Sequence, residues 1–261
     1  MSKITVIGTG NMGGALVKGW CKSNLDASIT VADLNTERLA AFKAEYPKLS
    51  TSTENAEAAS GADIIVMVVK PWQVCGVVSE IRHCLSKDTI LISIAAGVSL
   101  DQLRQTLEGS QMPHLFYVIP NIAAEFRASM TFIAPDQNVP QDIIAKVKSL
   151  FEYVGSAKVC DEKLTHSGML MASCGLAYIM RIIRAQTEAG VEMGFYPNDA
   201  KEVAMQTMLG AVALLQGTGE NPEAAIDRVT TPGGYTIKGL NEMDHSGLNS
   251  AIIKAFKTGM K

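Results

Sequence analysis

The sequence predicts an α/β protein whose N-terminal part is a doubly wound, mostly parallel sheet and whose C-terminal part is all helix. Three observations support this prediction. An apolar, β-branched run at Ile4–Ile7 leads directly into a glycine-rich turn, and a helical pattern follows. Strand and helix patterns alternate as far as Val159, which is typical of parallel sheets. From Asp161 onward the periodicity is helical. We therefore expect one domain over residues 1–159 and a second over residues 160–261.

The glycine-rich turn has the spacing G-x-G-x-x-G. Gly8 permits the tight turn, Gly10 lets the backbone approach a pyrophosphate, and Gly13 lets the helix pack against its strand. Phosphates bind well at a helix N-terminus, because its first N–H groups have no partner within the helix. Since a strand pattern precedes the motif and a helix follows it, we interpret it as the dinucleotide-binding turn of a Rossmann fold rather than an ordinary glycine-rich turn. The predicted contacts are Gly8, Thr9, Gly10, Asn11, Met12 and Gly13.

Asp33 ends the second predicted strand, which spans Ser28–Asp33. A carboxylate at this point can accept hydrogen bonds from an adenosine ribose hydroxyl, and it would repel a 2′-phosphate. The residue therefore favours NADH over NADPH, although Asn35 and Arg38 lie close by in sequence and would soften that preference. The alternative is that Asp33 caps the helix predicted over Thr36–Tyr46.

Two further predicted strands end in residues that suit a ligand site. The apolar run at residues 62–69 is long enough for a buried parallel strand, and Lys70 and Pro71 follow it. The strand predicted at Thr89–Ile94 is followed by the small residues Ala95–Gly97, which let a cofactor or backbone come close. Open α/β sheets bind ligands at such carboxyl ends. A solvated loop lysine remains the alternative for Lys70.

The other elements of this half follow from the same patterns. Ser99 is expected to cap a helix, with Gln102 in the capping-box position. Pro120 and Asn121 follow one strand directly. The remaining strands and helices are predicted at Leu49–Ser52, Glu54–Ser60, Trp72–Leu85, Leu115–Ile119, Ser129–Ala134, Pro140–Tyr153 and Ser156–Val159.

The C-terminal part opens with a long apolar helix, predicted over Leu164–Met193. Apolar residues occupy most of its circumference, so it has to be covered on several sides. A domain of about 100 residues has difficulty covering such a helix alone. We therefore expect this part to pack against a second copy of itself, the alternative being burial within one subunit. Further helices are predicted at Ala200–Gln216, Pro222–Val229, Ile237–Met243 and Leu248–Met260.

A Pro-Gly-Gly loop precedes one of these helices, at Pro232–Gly234. With the flanking hydroxyls of Thr231 and Thr236, such a loop exposes backbone N–H groups that can bind a small anion such as a carboxylate. The N-terminal end of the following helix would face the same point. The alternative is a simple connecting turn.

Composition excludes several classes. The formal charge is −3 and there is no long basic run, so nucleic-acid binding has little electrostatic support. No uninterrupted apolar stretch reaches about 18 residues, and the first strand begins too early for a signal peptide, so we expect neither a membrane span nor secretion. The five cysteines lack C-x-x-C spacing and the four histidines lack metal-ligand spacing. Reduced thiols, no metal and a cytoplasmic location are expected.

With these residues in view, the chain resembles the bacterial pyrroline-5-carboxylate reductases over nearly its whole length. The resemblance implies a Rossmann domain, a helical dimerisation domain, assembly into dimers and often decamers, and reduction of 1-pyrroline-5-carboxylate to L-proline by NADPH or NADH. The motifs that carry it are I-G-T-G-N-M-G-G at residues 7–14, V-K-P at Val69–Pro71, S-I-A-A-G at Ser93–Gly97, P-N at Pro120–Asn121 and P-G-G-Y-T-I-K-G-L at Pro232–Leu240.

The resemblance also implies roles for individual residues. Apart from the glycine turn, cofactor contacts are implied for Asn55, Val69, Lys70, Pro71, Ala95, Ala96 and Gly97. Substrate contacts are implied for Asn121, Gly233, Gly234, Tyr235 and Thr236. Four positions depart from the family pattern: Ile122-Ala123 replaces Thr-Pro, Ala172–Tyr178 replaces S-G-S-S-P-A-Y, Ser129 stands where the family usually has the glycine of G-M-T, and Asp33 stands where other members have a small residue. The choice between NADPH and NADH stays open.

The implied reaction transfers a hydride from the nicotinamide to C5 of a C=N bond. A protonated imine is already electrophilic, so the protein mainly has to hold the two reactants about 3–3.5 Å apart and exclude water. We expect the Thr236 hydroxyl to bond the ring nitrogen or the carboxylate, and Lys70 to shape the nicotinamide pocket or balance charge.

Two alternatives compete with this interpretation. A β-hydroxyacid dehydrogenase would share the architecture, but that class needs a lysine on the first long C-terminal helix, and Leu164–Met193 contains none. A non-catalytic nucleotide-binding regulator would leave the Pro-Gly-Gly loop unexplained.

Overall fold

An eight-stranded sheet forms the centre of the N-terminal half in the computed structural model, which describes residues 2–260. The strands β1 to β8 are Ser2–Ile7, Ala27–Ala32, Ser50–Ser52, Ile64–Met67, Ile90–Ser93, His114–Ile119, Ser129–Pro135 and Gly155–Val159. Their order across the sheet is β3-β2-β1-β4-β5-β6-β7-β8. The β6–β7 pair is antiparallel, and the other neighbouring pairs are parallel. The predicted doubly wound, mostly parallel sheet is confirmed.

Helices cover both faces of this sheet. They are α1 to α7, at Asn11–Cys21, Thr36–Glu45, Asn55–Ala59, Val74–Ile81, Leu100–Thr106, Gln141–Glu152 and Glu162–Met169. Alternate residues along one strand enter different cores: Ile64 and Val66 of β4 pack with one buried cluster, while Ile65 and Met67 pack with the other. A strand that is buried on both faces has to be apolar throughout, which is why this run lacks polar alternation.

One local prediction in this half needs correction, and one element was missed. The helix predicted over Trp72–Leu85 is α4 with a 3₁₀ turn at each end, Pro71–Gln73 and Arg82–Cys84. Proline at the first position fixes φ and removes a backbone donor, which suits a tight first turn. A further 3₁₀ helix, Ile122–Phe126, follows Asn121 and was not predicted.

After β8 the described chain is helical to Thr258, as the sequence predicts. The helices are α8 to α12, at Gly175–Glu192, Pro197–Thr218, Pro222–Arg228, Tyr235–His245 and Leu248–Thr258. The single helix predicted over Leu164–Met193 is interrupted by a π-helical turn at Leu170–Cys174. One compact unit ends at Ser173, within that turn, and the other begins at Cys174. The domain limits 1–159 and 160–261 stay a prediction.

The helical stretch Glu162–Glu192 is the one part of the described chain that could cross a membrane by length and composition. Only 17% of its most apolar window is buried within the structure. The buried core helix of a soluble protein meets the same criterion, so one such helix is weak evidence for a span.

Candidate functional site

A cleft of about 870 Å³ opens at the carboxyl ends of β1, β2, β4 and β5. The chain order reverses between β1 and β4, where open α/β sheets bind ligands. All residues that line this cleft belong to the first compact unit. The residues predicted from the sequence that line it are Gly8, Gly10, Asn11, Met12, Asp33, Asn55, Val69, Lys70, Pro71, Ala95 and Ala96.

The glycine turn has the geometry that its sequence predicts. Gly8 has a φ of +94°, and a Cβ there would lie 2.6 Å from the carbonyl oxygen of Val68. A Cβ on Gly13 would lie 2.0 Å from the carbonyl oxygen of Gly8. A Cβ on Gly10 would meet no atom within 4 Å, because this residue is exposed at the cleft. Two glycines therefore close the turn, and the third keeps its outer surface open.

The N-terminus of α1 points its first turn at the same cleft. Gly10 is the N-cap, and no side chain of the described residues caps the helix there. Asn11 and Met12, in the first turn, line the cleft. An uncapped helix N-terminus with no Cβ in front of it offers N–H donors and a partial positive charge to an anion. The residues present therefore fit the diphosphate of a dinucleotide.

Thr9 and Gly13, both predicted as contacts, lie behind the cleft wall. Thr9 is buried, and its amide and hydroxyl both donate to Asp33 Oδ2, at 2.8 and 2.7 Å. Gly13 is buried against the Gly8 carbonyl. We conclude that both residues shape the turn from its protein side.

Asp33 is bonded by its own chain. Besides the two donors of Thr9, the amide of Asn35 donates to Oδ1 at 2.9 Å, and Arg38 Nη1 donates to Oδ2 at 3.0 Å. Burial by itself raises the pKa of Asp33, but these hydrogen bonds and the Arg38 charge outweigh it and leave the pKa below its ordinary value. The carboxylate is therefore ionised. Asp33 does not cap α2 as the alternative supposed, since Asn35 is the N-cap and accepts from Arg38 N.

Lys70 and Pro71 lie at the rim, where β4 ends. The amide of Lys70 donates to Gln73 Oε1 at 3.2 Å, which fixes the tight turn after the strand. The Lys70 side chain is exposed, and none of the ion pairs within residues 2–260 includes it. A free ammonium at this rim is available to a ligand.

Asn55 and the loop after β5 complete the cleft wall. Asn55 Nδ2 donates to Glu80 Oε2 at 2.9 Å, and both residues line the cleft. Ala95 and Ala96 line it, while Gly97, with a φ of +83°, lies behind and donates from its amide to the Tyr117 hydroxyl at 3.4 Å. Burial raises the pKa of Tyr117, so the hydroxyl stays protonated.

Asn121 is buried, and the backbone uses both ends of its side-chain amide. Its Oδ1 accepts from Ala123 N at 3.0 Å, and its Nδ2 donates to Ala172 O at 3.1 Å. Ser173 Oγ adds a bond of 2.9 Å to Pro120 O. The end of β6 is thereby attached to the π-helical turn. This arrangement indicates a positioning role for Asn121.

The loop at Thr230–Thr236 belongs to the second compact unit. Gly233 has a φ of +70°, and Gly234 N donates to Thr231 O at 3.0 Å, which closes a turn. Gly234 is the N-cap of α11, and among the described residues no side chain caps that helix. Tyr235 and Thr236 are exposed. The loop thus presents an open helix N-terminus and a hydroxyl.

Two features of the site had no predicted role: Glu80 accepts from Asn55, and Leu34 is 81% exposed at the cleft. Outside the cleft, Glu162 Oε1 accepts from Leu100 N at 2.9 Å, and this contact was not predicted either. The local sequence around these residues does not predict their roles. Each contact joins residues that are far apart in the chain, or it depends on the direction in which a loop turns. The π-helical turn was also missed, and such turns occur often at functional sites.

Comparison with known proteins decides the family. Residues 162–261 match the family model described as pyrroline-5-carboxylate reductase dimerisation, and residues 3–97 match that described as NADP oxidoreductase coenzyme F420-dependent. A pyrroline-5-carboxylate reductase of Dictyostelium discoideum is 35% identical and covers 96% of this chain and 88% of its own. The chain belongs to the pyrroline-5-carboxylate reductase family.

Solved structures agree with this family. A pyrroline-5-carboxylate reductase from Coxiella burnetii is 28% identical, with a TM-score of 0.89 over 99% of this chain and 96% of its own. A pyrroline carboxylate reductase from Plasmodium falciparum, solved with NADP bound, is 23% identical, with a TM-score of 0.88 over 99% of this chain and 95% of its own. The second likeness shows the fold alone. Both alignments extend over the sheet and the C-terminal helices of this chain.

Proposed function

We propose that the chain reduces 1-pyrroline-5-carboxylate to L-proline with NADPH or NADH. The observation that carries the proposal is the glycine turn at the uncapped N-terminus of α1, inside a cleft at the switch point of the sheet. The names of the full-length relatives supply the substrate, and the Plasmodium falciparum structure has NADP bound. Together these support an oxidoreductase that acts on a CH–NH group.

The cofactor, when bound, supplies the hydride that adds to the C=N carbon. We assign its diphosphate to the α1 N-terminus, next to Gly10 and Asn11, where N–H donors are free of side-chain caps. Ala95 and Ala96 leave room for a flat ring at the end of β5, because neither side chain extends beyond Cβ. Lys70 places a positive charge at the rim. These residues bind and orient the ring, and they displace water from the reacting face.

We assign the substrate carboxylate to the loop at Gly233–Thr236. An anion at the N-terminus of α11 would meet amide donors that no described side chain occupies. Gly234 cannot carry a side chain without crowding Thr231 Oγ1, since a Cβ there would lie 2.5 Å from that atom. The exposed Thr236 hydroxyl is the group that we assign to the ring nitrogen or carboxylate. At the ring nitrogen, the Thr236 oxygen would accept a hydrogen bond from the protonated imine N–H, directly or through water.

Assembly and location form the second part of the proposal. We infer a homodimer through the C-terminal helices, because α8 and α9 expose apolar side chains that include Ile179, Met180, Leu209 and Val212. A covering subunit also accounts for the poorly buried apolar window within Glu162–Glu192 without a membrane. We further propose a decameric assembly, domains at residues 1–159 and 160–261, a cytoplasmic location, and no nucleic-acid, membrane or metal partner.

The test is turnover of purified protein with 1-pyrroline-5-carboxylate and each reduced cofactor, followed by loss of the nicotinamide absorbance. Thr236→Val removes the hydroxyl at nearly constant volume and should raise KM or lower kcat roughly tenfold. Thr258→Val is the matched control, because the Thr258 hydroxyl donates to Lys254 O in an ordinary helical bond of 2.8 Å. A 3-hydroxyacid with oxidised cofactor tests the dehydrogenase alternative.

Absence of proline formation with either cofactor would refute the proposal. If the Thr236→Val and Thr258→Val variants have the same kinetics as the unmodified protein, Thr236 has no part in the site even though the reaction is assigned correctly.

A further inference from the structure

The side chains of Asp33 and Arg38 form an ion pair at one end of the cleft. We propose that Arg38 selects the 2′-phosphorylated dinucleotide, NADPH, and that Asp33 positions Arg38 and the glycine turn instead of binding the ribose. The inference deepens the proposed function and depends on its use of a nicotinamide dinucleotide. It reverses the preference for NADH that Asp33 suggests in the sequence alone.

The carboxylate has little accepting capacity left. Its Oδ2 accepts from Thr9 N, Thr9 Oγ1 and Arg38 Nη1, and its Oδ1 accepts from Asn35 N. A carboxylate offers roughly four acceptor sites in all. A ribose diol that used both oxygens would have to displace donors of the glycine turn or of Arg38. The Thr9 bonds fix the glycine turn that forms the cleft. Replacing them with bonds to a ribose would therefore weaken the cofactor site.

The guanidinium of Arg38, in contrast to the Asp33 carboxylate, has unused hydrogen-bonding capacity. Arg38 uses Nη1 for Asp33, and a guanidinium has about five N–H donors, so most of them stay available. Its side chain is 43% exposed, whereas that of Asp33 is 12% exposed. An anion that enters this end of the cleft therefore meets the cation first. A guanidinium also matches the geometry of a phosphate group with two parallel hydrogen bonds.

The backbone of α2 holds Arg38 in this place. Asn35 caps the helix by accepting from Arg38 N at 2.8 Å, so the side chain starts from a fixed point in the first turn. The partial positive charge of the helix N-terminus adds to that of the guanidinium. Leu34, adjacent and exposed at the cleft, gives an apolar surface for an adenine ring.

The other charges at the cleft do not offset this arrangement. Glu80 accepts from Asn55 at 2.9 Å, and Glu54 accompanies Asn55 on the same wall. Lys70 lies on the turn after β4. The carboxylate nearest to Arg38 is Asp33, whose charge the pair already balances. Arg38 therefore distinguishes the two cofactors by binding the 2′-phosphate, which NADPH has and NADH lacks.

The test measures binding by calorimetry, without substrate and without turnover. The probes are NADPH, NADH, and the fragments adenosine 2′,5′-bisphosphate and AMP, which differ in the 2′-phosphate. We expect each phosphorylated probe to bind at least about tenfold more tightly than its partner, as a charge-assisted hydrogen-bond pair would produce. Arg38→Met should remove this ratio and leave NADH within about threefold. Arg38→Lys should keep part of it, since a point charge replaces the fork.

Lys148→Met is the matched control. It removes one positive charge of an exposed ion pair with Glu152, at 2.8 Å on α6, and it does not line the cleft. It should leave all four dissociation constants unchanged. If the Arg38→Met variant does not fold, as judged by its unfolding transition, the unmodified protein and Arg38→Lys decide the question through the fragment ratio.

Three results would overturn the inference: equal affinity for the members of each pair, tighter binding of the unphosphorylated member, or a loss in Arg38→Met that is equal for NADPH and NADH. Failure of all four probes to bind would overturn it as well. Turnover of 1-pyrroline-5-carboxylate is measured separately. A protein with the expected affinity ratio and no turnover would refute the proposed function and leave the role of Arg38 in place.

Discussion

The side-chain amide of Asn121 donates a hydrogen bond of 3.1 Å to the carbonyl oxygen of Ala172. This bond joins the residue after β6 to the π-helical turn at Leu170–Cys174. The same amide caps the 3₁₀ helix at Ala123. One buried side chain therefore holds three segments together, whereas the family resemblance implied a substrate contact for it.

Asn121→Ala should destabilise the protein by about 1–3 kcal/mol, because it leaves two partly buried backbone groups, Ala123 N and Ala172 O, without this partner. The measurement is urea unfolding. Asn249→Ala is the control, since the exposed Asn249 amide donates to Asp244 at 3.1 Å, and its loss should cost less than about 0.5 kcal/mol. Unchanged unfolding of Asn121→Ala with a raised KM for the imine would instead assign the residue to the substrate.

Gly10 and Gly13 should respond differently to alanine. Gly13→Ala places a Cβ 2.0 Å from the Gly8 carbonyl oxygen, so we expect it to cost about 1–3 kcal/mol of stability. Gly10→Ala meets no neighbour within 4 Å, so its stability should hold within about 0.5 kcal/mol. Its new methyl group faces the cleft, and the affinity for NADPH should fall roughly tenfold.

Unfolding curves and calorimetric titrations measure the two effects separately. Equal destabilisation by both substitutions would contradict the geometry of the turn. Unchanged NADPH affinity in Gly10→Ala would place the diphosphate elsewhere.

Local patterns predicted much of this fold, and long-range partners explain what they missed. The apolar run at β4 and the glycine spacing each follow from sequence neighbours, since burial on both faces and close backbone approach leave a local signature. The carboxylate of Asp33 was placed correctly at a strand end. The bonds from Thr9 join residues 24 positions apart and depend on how the glycine turn meets the end of β2, whereas Arg38 is only five residues away. The spacing of residues in the sequence does not show that the Asp33 carboxylate already accepts hydrogen bonds from its own chain.

The depressed pKa of Asp33 predicts how acid affects stability. Its ordinary value is 3.8, and the folded value lies lower. A group with a depressed pKa stabilises the fold above its unfolded pKa, and that contribution disappears as the pH falls through the folded pKa. Asp33→Asn should therefore be less stable than the unmodified protein at neutral pH. The difference should shrink as the pH falls below about 4.

Unfolding free energies of both proteins, measured from neutral to acidic pH, check this sign. Asp142→Asn serves as the control, because Asp142 lies in the first turn of α6, outside the cleft. A difference between the Asp33 variant and the unmodified protein that grows toward acid would contradict the role of Asp33 as an ionised acceptor.

The exposed apolar surface of α9 predicts how the oligomer can be broken. Leu209 is 63% exposed on a helix of the second compact unit, and its burial in an interface would remove apolar surface from water. Leu209→Glu should shift the assembly toward monomers in sedimentation velocity, because a buried unpaired carboxylate is costly. Met112→Glu is the control: Met112 is 42% exposed and precedes β6, outside the helical half. We expect the interface to bury α9 and not the loop before β6. An interface on α9 would be contradicted if the unmodified protein were monomeric, or if both variants dissociated equally.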